Sequence, residues 1–300
     1  MSLIEVVSGL ASRHLSAQRA EALRMLYIRA CGKMAPALRL LHGTFDVDDL
    51  RQHLDQRIGH DFEVLMVHSS VNGMKPMFTG NPLDLVRMLM AYCGPERTLA
   101  MPAFYFGEGD EGAYASFARN PRVDLQRTPS QMGLATELFR RMPGVRQSRH
   151  PAYRVAARGP LAEVLTQGHE HATSAAGRGS PFDFMARHDT RIIGIGKPIQ
   201  VLTQAHHTEE LMGDDFPVPS RAGTPLPMTL VDRGQELPFE LRGRSVDGRF
   251  DIWRLRRIMS RDSLQEWRFH HVPMFATRAR DVTEQTVAAA RRGVTLYEPH

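Results

Sequence analysis

The nine residues FEVLMVHSS, beginning at Phe62, constrain the fold most. They run apolar without alternation and end in small polar side chains, the pattern of a strand buried on both faces. GNPLDLVRMLMAYCG follows and predicts a helix, with Asn81 as N-cap, Pro82 at the first position and Gly94 as the stop. RTLAMPAF returns to strand. TPSQMGLATELFRRM predicts a second helix with Thr128 capping, Pro129 first and Gln131 in the reciprocal capping position. TRIIGIG is a third strand. Strands alternating with helices predict an α/β fold, a single mixed, partly parallel sheet flanked by helices. Residues 1–45 precede it and read as an N-terminal helical extension. Residues 46–300 form the main domain, opening on a short helix capped by Asp46. Beyond Ser220, GTPLPMTLVDRGQELPFEL reads as strands and turns, and DVTEQTVAAARRG as a late helix.

Composition excludes several classes. Apolar content of 42% and charged content of 24% are those of an ordinary globular protein. The net charge of +5, from 38 basic and 33 acidic residues, favours anionic ligands such as phosphates. The arginines are scattered and no stacking aromatics accompany them, so no nucleic-acid partner is expected. No stretch approaches the roughly 18 apolar residues of a membrane span. The N-terminus lacks the basic region of a secretory signal, and a cytoplasmic location is expected. Two cysteines, Cys31 and Cys93, support neither a disulfide framework nor a zinc cluster.

Three segments can carry chemistry. HSSVNGMKP, His68 to Pro76, sits at a strand's carboxyl end, where ligands gather in α/β sheets. Its small side chains and Gly73 let backbone N–H groups approach an oxygen, although an ordinary loop reads the same way. The helix start TPSQMG is a second place for an anion. GIGK at Gly194 is not a phosphate loop, since Arg191 and Pro198 stand where glycine and a hydroxyl residue are required. Cys93, closing an apolar helix, reads as a buried residue and not a nucleophile. TQAHHTEEL, Thr203 to Leu211, sets His206 three and four residues before Glu209 and Glu210, so each pair shares a helix face. A carboxylate there fixes an imidazole's tautomer and raises its basicity, as a general base requires. A metal would draw on His68 or His150 as well, but no HExxH or cysteine cluster supports one. A solvated charged face is the third reading, and these residues alone leave all three open.

The segments VLMVHSS, GPERTLAMPAF, TPSQMGLATELFRRMPG, SRHPAYRVAARGPLAEVL, GRGSPFDFM, and RIIGIG with TQAHHTEE, in that order, resemble the aminoglycoside 3-N-acetyltransferase family over roughly Asp46 to Phe216. HSS, HP…AARG, SPFDF and Thr-x-x-His-x-x-Glu at Thr203, His206 and Glu209 are the most diagnostic. The resemblance implies direct acetyl transfer from acetyl-CoA to a primary amine, without a metal, His206 acting as base and Glu209 orienting it. It further implies a donor site holding the pantetheine and phosphates at His68, Ser69, Ser70, Val71, Pro129, Ser130, Met132, Gly133 and His150. The acceptor side would draw on Thr203, His207, Glu210, Arg154 and the acids Glu108 and Asp110 of FGEGDEG. The chain departs from the family at Gln147-Ser148, where Arg-Ser is usual, and at Arg154, where serine is usual. An aminoglycoside-type amino sugar is the implied acceptor, with antibiotic resistance as the corresponding role. The basic balance and Arg154 would instead suit a nucleotide- or lipid-linked amino sugar of surface polysaccharide synthesis. A serine hydrolase using Ser69 or Ser70 is the remaining alternative, although it lacks the G-x-S-x-G elbow. Association into a homo-oligomer through residues 1–45 is left open.

Overall fold

The computed structural model describes residues 34–108, 112–172 and 174–298. Asp110, Cys31 and most of the N-terminal helical segment fall outside them. The main sheet has seven strands: β1 (Val64–Ser69), β2 (Thr98–Pro102), β3 (Arg146–Gln147), β4 (Val155–Arg158), β5 (Thr190–Ile195), β6 (Leu264–Phe269) and β7 (Val272–Arg278), in the order β6-β7-β5-β1-β2-β4-β3. The three central strands, β5, β1 and β2, run parallel, and the outer ones pair antiparallel. This is the mixed, partly parallel sheet that the strand–helix alternation predicts.

The unbroken apolar run of β1 has a direct cause. Leu65 and Val67 enter a core with Leu50, Leu54, Leu85, Leu89 and Phe139 on one face. Val64 and Met66 enter a second core with Phe182, Leu202, Ala205 and Val282 on the other. Each fully buried side chain of this size contributes about 1.5–3 kcal/mol, which fixes the strand's register. The helices Val47–Arg57 and Pro82–Cys93 start on complete capping boxes, Asp46 with Asp49 and Asn81 with Asp84. Gly94 ends the second of them at φ 64°, as its sequence predicts.

The third helix does not start where the sequence places it. It spans Leu134–Phe139, and Thr128 caps nothing. Longer-range bonds win over the local cap: Gln131 N–H donates to the Phe104 carbonyl (2.8 Å), its side chain spans the backbone of Phe106 and Gly107, and Ser130 N–H donates to Glu137. The segment Pro129–Gly133 is therefore a loop pinned across the end of β2.

A smaller sheet joins Arg122–Asp124, Leu226–Asp232 and Gln235–Leu241. Its hairpin turns on Arg233 and Gly234, both left-handed, as a two-residue turn between twisted strands requires. The late helix is Ala279–Ala290, and the chain closes by pairing Arg249–Phe250 with Tyr297–Glu298. The carboxyl ends of the three parallel strands lie on one edge of the sheet. They deliver residues 68–70, 103–106 and 197–206 there, the place where such sheets bind ligands.

Candidate active site

TQAHHTEEL folds as a 3-10 turn, Thr203–His206, followed by a helix, His207–Met212. His206 sits at the junction, and its Nδ1 lies 2.9 Å from Glu209 Oε1. The carboxylate can only accept, so Nδ1 carries the proton and Nε2 keeps its lone pair. Side-chain exposure is 37% for His206 and 10% for Glu209, so the imidazole reaches solvent while its carboxylate partner lies beneath it. Phe250 stacks on the imidazole at 4.5 Å and 25°. Tyr297, opposite Phe250 on the paired strand, is the hydrogen-bond partner of Glu209. Burial, then the charge of that carboxylate and the hydrogen bond to it, holds the phenol well above its usual range. Tyr153 completes the surroundings. Burial, then the charges of Glu209 and Glu210, raises its phenol as well, and it packs against Phe104 (5.2 Å) and Phe106 (5.4 Å). None of Phe250, Tyr297 and Tyr153 is marked by a motif. Tyr153 alone has a sequence signal, its place inside SRHPAYR.

The other acceptor-side residues scatter. Glu210 lies on the dyad's side, where its charge reaches Tyr153 and Tyr297. Thr203 is half-buried and donates to the Val201 carbonyl. His207 is a correction: it faces away from His206, is 1% exposed, and bonds through Nδ1 to the Ala176 carbonyl (2.5 Å). Burial lowers its pKa, and its Nε2 is 3.9 Å from Asp183. Arg154 is a second correction. It is fully buried and donates to the carbonyls of Leu125, Thr128 and Pro129, so it ties down the loop under Pro129 and meets no acceptor. Burial, then repulsion from Arg140, brings its pKa down to about 10. Glu108 is exposed in a loop tied by its N–H to Ser116.

The donor-side residues divide. His68 is buried on the face of β1 that carries Val64 and Met66, the dyad's side of the sheet. Burial, then the charge of Lys197, brings its pKa down to about 4, so it is neutral. Ser69 ends β1 with its hydroxyl buried and without a partner. Ser70 N–H donates to Ile195 and its hydroxyl accepts from Gly73 N–H at 3.0 Å, which leaves the O–H as a donor. Gly73 serves packing, because a Cβ there would lie 2.2 Å from the Gly196 carbonyl. Val71 packs into the core on the other face. Pro129 and Gly133 are exposed, Ser130 and Met132 half-buried, along the loop crossing the strand ends. His150 lies inside its own loop. It is 4% exposed, its Nδ1 accepts from the N–H groups of Ala152 and Tyr153, and its ring stacks on His169. It closes its own loop, which pairs with residues 103–105 beyond β2. Gln147 Oε1 is buried without a partner.

Cys93 is 1% exposed, and burial pushes its thiol up to about 12, which leaves it inert. Neither Ser69 nor Ser70 hydrogen-bonds to His206, so no serine triad is assembled. Among the described residues, no three His, Cys, Asp or Glu side chains converge as a metal would need. No helix among them is long and apolar enough to cross a membrane.

The fold and the site define an α/β protein with a solvent-facing imidazole–carboxylate pair at the carboxyl edge of its parallel strands. The chain belongs to the aminoglycoside 3-N-acetyltransferase family, whose sequence model matches residues 66–290. Aminoglycoside N(3)-acetyltransferase III of Acinetobacter baumannii is 27% identical over 191 residues, 59% of this chain and 63% of that protein. Aminoglycoside N(3)-acetyltransferase IV of Salmonella is 40% identical over 104 residues, 34% of this chain and 35% of the relative. The chain thus spans just under two thirds of the first relative's length and about a third of the second's. The fold matches aminoglycoside acetyltransferase AAC(3)-Xa with a TM-score of 0.72 at 20% identity, covering 88% of this chain and 99% of that one. AAC-IIIb with CoASH gives 0.68 at 18% identity, covering 85% and 100%.

Proposed function

We propose that this protein is an acetyl-CoA-dependent N-acetyltransferase that acetylates a primary amine of an aminoglycoside-type amino sugar by direct transfer. The observation that carries the reading is the His206–Glu209 pair, with Nδ1 on the carboxylate at 2.9 Å and the imidazole 37% exposed. An amine is protonated near neutral pH and attacks a thioester only after losing a proton, so a placed base is required. His206 Nε2 takes that proton and passes it to solvent, then takes the second nitrogen proton as the nitrogen–carbon bond forms and the carbon–sulfur bond breaks, and the thiolate leaves with this second proton from the imidazolium. Glu209 balances the charge on the ring. The donor fits the strand ends through the orphaned Ser69 hydroxyl, the Ser70 O–H and the exposed stretch at Pro129–Gly133. Solved relatives in complex with CoASH and with sisomicin support donor and acceptor classes. Glu209 and Glu210 suit a polycationic acceptor. The nucleotide-linked alternative loses its main support, because Arg154 is buried.

Calorimetric titration with acetyl-CoA, with CoA and ATP as controls, tests the donor, and thiol release with gentamicin-type amines tests the acceptor. One-site binding of both CoA species, weak ATP binding and amine-dependent thiol release are expected. Absence of acetyl-CoA binding would sink the reading.

A further inference from the structure

We infer that Phe250 and Tyr297, facing each other on the C-terminal strand pair, are positioning residues that hold the His206–Glu209 dyad in its proton-accepting geometry. The inference deepens the acyltransferase reading and rests on it.

The helix alone does not fix the dyad. His206 lies at a junction between two helical turns and is over a third exposed, so one hydrogen bond leaves its ring free to rotate. Phe250 supplies the missing constraint by covering one imidazole face at 4.5 Å and 25°. Tyr297 packs edge-on against Phe250 at 5.4 Å and against Phe216 at 6.0 Å. Its phenol is a second partner of Glu209, and the two side chains line one small cavity. That cavity has a volume of about 10 Å³, room for one water at most. The strand pair is itself held. Asp251 N–H donates to Leu296 (2.7 Å), Arg249 pairs with Glu298, and Gly248 brings the backbones so close that a Cβ there would lie 2.7 Å from the Glu298 carbonyl. The pair thus carries the rigidity of the chain's last segment to the base.

Long-range 1H–15N spectra of the free protein report which imidazole nitrogen of His206 carries the proton, with no acceptor required. The wild type is expected to show one Nδ1-protonated tautomer, and Phe250→Leu and Tyr297→Phe a mixture. Turnover should fall about tenfold in Phe250→Leu and severalfold in Tyr297→Phe, with KM for acetyl-CoA unchanged and Phe250→Tyr restoring the loss. A single unchanged tautomer in both variants overturns the inference, whatever happens to turnover. If Phe250→Leu fails to fold, Tyr297→Phe, which keeps the ring packing, decides. A wild type that holds the tautomer but acetylates no amine removes the acyltransferase reading and leaves the positioning intact.

Discussion

The loop Ser148–Arg154 and the turn Thr203–Glu209 each present a histidine among polar neighbours, and the fold treats them oppositely. In the loop, His150 accepts from two backbone N–H groups. His169 behind it accepts from the Ser148 hydroxyl and donates to the Ala175 carbonyl. Both are buried, and burial lowers both, His169 to about 4 and His150 well below the usual imidazole range. In the turn, His206 meets a side-chain carboxylate with one nitrogen and stays over a third exposed. A histidine whose ring atoms serve its own backbone is a structural clasp. One that spends a single nitrogen on a carboxylate retains a working lone pair.

Single substitutions should separate the two regions cleanly. His206→Ala is expected to lower kcat by about 10²–10⁴-fold, the usual contribution of a placed base, with the denaturation midpoint within experimental error of wild type. Turnover unchanged in steady-state assays would remove His206 from the chemistry. His150→Ala should do the reverse. It orphans two buried N–H groups and opens a cavity, at about 2–4 kcal/mol of stability by urea denaturation. Its turnover per folded molecule at low temperature should stay within a few fold. A variant as inactive as His206→Ala would collapse the contrast.

How much of this was legible follows from where the deciding contacts lie. The strand at FEVLMVHSS and the caps at Asp46 and Asn81 depend on neighbours a few residues away, and the sequence displays them. Thr128 fails as a cap because Gln131 bonds to Phe104 and Gly107, more than twenty residues off. Arg154 resembles a ligand contact because composition cannot reveal that its partners are backbone carbonyls. Phe250 and Tyr297 sit in strands of two residues each, too short for any periodic signal. His207 is the exception. Adjacent helical residues diverge by about 100°, so the pattern already implied that both histidines could not face one acceptor.

Acidity should destabilise the fold through its buried histidines, in the clasp and beside the dyad alike. The unfolded chain protonates its histidines near 6.5, whereas His68 and His169 stay neutral in the fold down to about 4. As pH falls between those values the unfolded state binds more protons. Stability is therefore intact above about pH 7 and drops by about 1.4 kcal/mol per pH unit for each group down to about pH 4. Urea midpoints at pH 7.5, 6.0 and 5.0 measure the slope. In His169→Gln one share should vanish, and a slope identical to wild type would mean that His169 does not carry it.

The smallest expected effect discriminates most finely between a built site and a clasp. Ser69 ends the central strand with a buried, unpartnered hydroxyl, an arrangement that a fold selected for stability alone would replace by alanine. Ser69→Ala should accordingly raise the stability of the free protein, by up to about 1 kcal/mol. At the same time, if the proposed donor site is right, it should weaken acetyl-CoA binding severalfold and leave kcat within about threefold, as expected of a hydroxyl that binds the donor without moving a proton. Denaturation read beside calorimetry makes the two signs visible in one variant. A loss of stability would show that the hydroxyl has a partner within the fold, and complete loss of turnover would return Ser69 to the role of nucleophile.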